Sequence, residues 1–89
     1  MSKKRERFDV IHDILATIQK DKKIGPTKLI RLANLSPKMF NDYIQELKSS
    51  GLIDEKVVKN RKKYILKEKG SKFLERYEIF TNFVDKLGL

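Results

Sequence analysis

From about Glu6 to Lys20, Phe8, Ile11, Leu15 and Ile18 recur at spacings of three and four, with Val10 and Ile14 beside them. That period predicts an amphipathic helix. Asp21-Lys22-Lys23 ends it, and a short extended piece is expected at Ile24-Gly25, because the residue before Pro26 avoids the helical region. Pro26 suits the first position of a second, short helix that carries Leu29, Ile30 and Ala33 inward. Asn34 and Leu35 interrupt it, and asparagine tolerates the left-handed backbone of a tight turn. Ser36 as N-cap and Pro37 behind it then restart a helix. Met39, Phe40, Tyr43, Ile44 and Leu47 form its apolar stripe, and Gly51 closes it.

Beyond Gly51 the period changes. Leu52 to Val58 is rich in β-formers at both ends, and Lys63-Tyr64-Ile65-Leu66 is a second strand candidate. Lys59-Asn60-Arg61-Lys62 between them is expected to be a hairpin turn or a slightly longer loop. A long helix follows from about Glu68 to Leu87. Leu66, Gly70, Phe73, Tyr77, Phe80, Val84 and Leu87 alternate steps of four and three, the spacing of a heptad seam. Its useful part runs from Phe73 to Leu87, widened by Leu74, Ile79 and Phe83.

The order is helix, helix, tight turn, helix, β-hairpin, long helix. Two helices joined by a tight turn make a helix-turn-helix, and a basic hairpin after it makes a wing. The expected fold is mainly α with a β-hairpin wing: a winged helix-turn-helix over residues 1–67, then a C-terminal dimerisation helix over 68–89. Leu29, Ile30, Phe40, Ile44, Leu47, Leu52 and Ile65 should share one core with Ile11, Leu15 and Ile18.

Charge sharpens this picture. The 89 residues carry 21 lysines and arginines against 12 acids, a net +9. Residues 1–7 hold +3, residues 8–55 are balanced, residues 56–72 hold +7 and residues 73–89 hold −1. Such concentration favours a polyanion partner. Chemistry of other kinds finds no footing. There is no cysteine for disulfides or thiolate metal sites. His12, the only histidine, sits in no carboxylate or cysteine constellation that resembles a metal or acid–base site and reads as an ordinary helix-surface residue. No glycine-rich phosphate loop occurs, and no paired catalytic groups. The chain is therefore expected to be no enzyme and to use no cofactor, and no small-molecule ligand is evident. No apolar run reaches the length of a membrane span, and basic Met1–Arg7 is not followed by a signal-type apolar region. A cytoplasmic, nucleoid-associated protein without a membrane partner is expected.

Three sets of residues are candidates for double-stranded DNA. On the third helix, Lys38, Asn41, Gln45 and Lys48 lie opposite the apolar stripe together with Asp42 and Ser49. Asparagine and glutamine can bond adenine edges in the major groove, and lysine can reach guanine or a phosphate. A merely solvated face is the alternative, and Asp42 would repel phosphate. Lys59, Asn60, Arg61, Lys62 and Lys63 carry four positive charges in five residues, suited to a phosphate backbone or a minor groove. A charged strand edge that discourages aggregation is the blander possibility. Lys3, Lys4 and Arg5 form a basic arm. In the last helix, Phe73, Tyr77, Phe80, Phe83, Val84 and Leu87 are the expected homodimer interface, with folding back onto the first helix as the alternative.

With these elements placed, the chain resembles the small archaeal winged-helix DNA-binding proteins. Thr27 leading the second helix, "ANLS" at Ala33–Ser36, "YIQEL" at Tyr43–Leu47, "GLI" at Gly51–Ile53 and "YILKEKG" at Tyr64–Gly70 carry the resemblance, which covers nearly the whole chain. It implies DNA binding by the helix from Pro37 to Ser50 with a wing contact near Lys59–Lys63, in a chromatin-type protein or a local transcription regulator. It also implies dimerisation through a C-terminal antiparallel coiled coil. Here the last helix stops at Leu89, so a compact helix pair is expected. A winged helix used only for protein contacts is the competing functional class.

Overall fold

Proline and asparagine set the boundaries of the helix-turn-helix. The computed structural model describes residues 7–89, so the arm of Lys3, Lys4 and Arg5 lies outside the described residues. Helix α1 spans Arg7–Lys20, α2 spans Pro26–Ala33 and α3 spans Pro37–Ser49. Asn34 ends α2 in the left-handed conformation, φ 57°. Its N–H donates to the Arg31 carbonyl at 3.1 Å and that of Leu35 to Ile30 at 3.2 Å, the paired bonds of a Schellman turn. Two residues later the Ser36 hydroxyl accepts from the Met39 N–H at 3.2 Å, satisfying a free amide at the start of α3. Gly51 repeats the device at the far end of α3: φ is +79°, and the Leu52 N–H returns to the Leu47 carbonyl at 2.9 Å.

Strands β1 (Ile53–Val58) and β2 (Arg61–Leu66) pair antiparallel, and α4 spans Glu68–Lys86. The hairpin is tighter than expected. Pairing continues to Val58↔Arg61, so the turn is only Lys59-Asn60, and Arg61 and Lys62 belong to β2. Both turn residues are left-handed, φ 51° and 63°. Consecutive positive φ values give a type I′ turn, whose twist matches that of the strands it joins.

The core is assembled mainly from α1 (Ile11, Ile14, Leu15, Ile18), with Leu29, Ala33, Phe40, Ile44, Leu47 and Ile53 closing over it. One expected core residue is misplaced. Ile65 is 40% exposed, whereas Tyr64 is 3% exposed with its ring edge-on to Phe40. Strand side chains alternate, so once Tyr64 points inward Ile65 must point out. Ile30 is only half-buried, at the edge of this core, and Phe8 lies exposed at the outer end of α1.

The first turns of α4 belong to the same core. Gly70 and Leu74 are buried. Phe73 and Tyr77 lie against α1 in a run of rings: Phe8 to Phe73 at 6.4 Å, Phe73 to Tyr77 at 5.9 Å and Tyr77 to His12 at 4.4 Å. The Tyr77 hydroxyl also donates to the Asp9 carboxylate. Beyond Tyr77, α4 presents Ile79, Phe80 and Phe83 to solvent, and Leu87, which caps its end, is exposed as well.

Candidate nucleic-acid interface

The outward face of α3 holds Lys38, Asn41 and Gln45 exposed and Lys48 half-buried. Packing of Phe40, Ile44 and Leu47 into the core aims this face outward. The Asn41 and Gln45 amides bond no described side chain or backbone group and are therefore open to a partner. Asp42 does not stand alone as a negative charge. Lys38 Nζ lies 3.3 Å from its carboxylate, one helical turn away. An exposed pair of this kind adds little stability, yet it screens the acid that opposed DNA contact on sequence grounds.

Strand pairing divides the basic segment that looked like a single patch. Directly paired residues share a face of the hairpin. Val57↔Lys62 and Glu55↔Tyr64 therefore lie on the face that continues into the core, towards α3. Val58↔Arg61 and Lys56↔Lys63 lie on the other face. Lys59 and Asn60 form the tip. Glu55 organises the α3 side, because its carboxylate is 3.4 Å from Lys48 Nζ and 3.7 Å from Lys62 Nζ. Two cations, one from the helix and one from the wing, are thus held beside one partly buried acid. The wing keeps an excess of positive charge. On the opposite face the Lys63 ammonium donates to the Lys23 carbonyl, fastening the wing to the α1–α2 turn.

Sequence reasoning missed Glu55, which the turn at Gly51 sets beside Lys48 and strand pairing with β2 sets beside Lys62. It also took His12 for an ordinary surface residue. The imidazole stacks on Tyr77 with 20° between the planes, and Asp13 and Glu78 carboxylates lie 3.5 Å from its two nitrogens. Folding perturbs the Tyr64 phenol. Burial, with the Glu55 carboxylate opposite it, pushes its phenol up to about 12.

Of the residues expected at a dimer seam, Phe73 and Tyr77 meet α1, Val84 is half-buried, and Phe80, Phe83 and Leu87 are exposed. No helix among the described residues is long and apolar enough to cross a membrane.

The model of the winged helix-turn-helix family matches residues 4–84, which take in the helix-turn-helix and the wing. The chain belongs to that family. An uncharacterized protein of Methanocaldococcus jannaschii is 38% identical over 78 residues, covering 86% of this chain and 75% of that protein. Among solved structures, the DNA-binding protein Sso10a-2 from Sulfolobus solfataricus superposes with a TM-score of 0.80 at 26% identity, over 93% of this chain and 85% of that one. The PcaV transcriptional regulator of Streptomyces coelicolor shares the fold at 12% identity, with a TM-score of 0.79 over 88% of this chain and 60% of its own.

Proposed function

We propose that this winged helix-turn-helix protein binds double-stranded DNA as a homodimer, with little or weak sequence preference, and acts as a transcription regulator or a chromatin-type protein of the nucleoid. The observation that carries the reading is the wing. Lys56, Lys59, Arg61, Lys62 and Lys63 sit on one short hairpin beside an outward α3 face on which Asn41 and Gln45 are exposed, and Glu55 lies within ion-pair reach of a lysine from each. Lys59 adds to it, since a lysine in a left-handed turn position occupies a conformation that asparagine or glycine adopts more easily. Retaining a cation there fits a tip that works against phosphate. Likeness to an archaeal DNA-binding protein supports the same partner.

In this reading Lys38, Asn41, Gln45 and Lys48 enter the major groove, and Lys59, Asn60, Arg61, Lys62 and Lys63 follow the backbone beside it. Lys3, Lys4 and Arg5 add charge from the arm. The division at residue 67 is one of roles. Residues 68–77 complete the domain core, and the exposed half of α4 with Phe80, Phe83 and Leu87 meets a second copy, Phe73, Tyr77 and Val84 flanking the contact. Phe80 and Phe83 are 63% and 57% exposed, an unusual expenditure of aromatic surface for a monomer.

A mobility shift on random duplex DNA at low and moderate salt tests the reading. Retardation at low salt that weakens steeply at moderate salt is expected. No retardation at either salt would replace it with a winged helix used for protein contacts.

A further inference from the structure

A hollow of about 630 Å³ lies between the hairpin, the C-terminal end of α1 and the start of α4, with Tyr64 and Leu66 of the core face also among its lining. Its size is that of a small-molecule pocket. Ile18, Val58, Ile65 and Leu66 line it with apolar surface. Lys22, Lys23, Lys56 and Lys63 line it with positive charge, and no acidic side chain takes part in the lining. Strand register produces the arrangement: Lys56, Val58, Lys63 and Ile65 all fall on the outer face of the hairpin. Asp54 shares that face but turns its carboxylate to the Glu55 N–H at 2.8 Å. The Lys63 ammonium, held on the Lys23 carbonyl, closes one side by joining the two walls.

We propose that this hollow binds a small amphipathic carboxylate, with the apolar body against Ile18, Val58 and Ile65 and the carboxylate among the lysine ammonium groups. Two features select this class. Clustered lysines without an acid call for an anion, because each would otherwise repel its neighbours. A phosphodiester backbone would satisfy the lysines but would leave the apolar lining unused, whereas an aromatic or branched carboxylate covers both. Lys63 is common to the hollow and to the basic wing, so occupancy neutralises a charge available to DNA. That consequence rests on the DNA reading; binding of the carboxylate does not.

The test titrates the methyl-labelled full chain with sodium naphthoate and follows the methyl resonances. Saturable shifts of the Ile18, Val58, Ile65 and Leu66 methyls are expected. Affinity should fall about tenfold or more for neutral naphthamide, and by a similar factor in the double variant Lys22→Glu, Lys56→Glu. The unliganded methyl spectrum of that variant reports whether it is folded, and the naphthamide comparison stands on the wild type alone. The proposal is overturned by shifts confined to Ile79 of α4 and Leu87 at its end, by equal binding of naphthoate and naphthamide, or by no saturable shift at millimolar naphthoate. It is also overturned if a short random duplex alone, without naphthoate, gives the same saturable shifts of the Ile18, Val58, Ile65 and Leu66 methyls, which would assign the hollow to the phosphate backbone.

Discussion

Gly70, in the first turn of α4, lies so close to Leu52 that a Cβ at position 70 would stand 2.4 Å from the Leu52 carbonyl oxygen and 2.6 Å from the Leu66 side chain. The same carbonyl accepts the Lys67 N–H at 3.0 Å, just before α4 begins. The missing side chain is what lets the last helix start against the β1 entry and drop Leu74 into the core.

Gly70→Ala should therefore destabilise the protein although alanine is the better helix former. Helix propensity favours alanine by about 1 kcal/mol, but overpacking against backbone costs about 1–3 kcal/mol. A net loss of up to about 2 kcal/mol in a denaturant melt is expected. A gain would mean that α4 can move away from Leu52 without cost.

Tyr64 gives the protein a stability limit at high pH. Its folded value of about 12 exceeds the ordinary 10.0, so the native state holds the proton more tightly than the unfolded chain. The associated stability is complete below pH 10 and is lost as pH rises towards 12, by about 2–3 kcal/mol in all. Lysines titrate in the same range, so the measurement is the difference from Tyr64→Phe. Wild type should lose stability more steeply than the variant above pH 10, and phenolate absorbance should show one of the three tyrosines ionising late. Parallel losses in the two proteins would place Tyr64 in contact with water.

On DNA, replacing Arg61, Lys62 and Lys63 together by alanine should weaken all sequences alike. Each phosphate contact contributes about −0.9 to the log–log salt slope, so the slope should flatten by about 2, with Lys62 partly committed to Glu55. Replacing Asn41 and Gln45 should leave the slope and change whatever preference among sequences exists. An unchanged slope in the triple variant would move the contact away from the wing.

Phe80→Asp tests the dimer. Aromatic side chains bury about 150–250 Å² each, so Phe80 and Phe83 with their copies supply a large share of a two-fold interface. A charge at position 80 would be desolvated there, and light scattering at tens of micromolar should change from dimer to monomer. DNA affinity should fall as two linked wings become one. A monomeric wild type, or a dimeric variant, would leave the exposed half of α4 without this role.

The elements of this fold were legible because each is punctuated locally. Pro26, Asn34, Ser36, Pro37 and Gly51 begin or end helices through their own backbone preferences, and the apolar period of α1 and α3 names most of the core. The basic wing could be read in the same way, since charge density needs no coordinates. Contacts between distant segments could not. Whether Tyr64 or Ile65 faces the core depends on a shift of one residue in register, which the run Lys63-Tyr64-Ile65-Leu66 leaves open because apolar residues stand at consecutive positions. The type I′ turn at Lys59-Asn60 decided it, and by the same pairing sent Lys62 to one face and Lys63 to the other. Glu55 beside Lys48 and Lys62, His12 on Tyr77, and Gly70 beneath Leu52 arise only when the hairpin, α1, α3 and α4 are brought together. The sequence by itself determined which segments are helix, turn and hairpin and where the positive charge is concentrated, because those follow from local sterics and composition. The tertiary structure decided which side of each element is used, because that depends on register and on what each face finds opposite it.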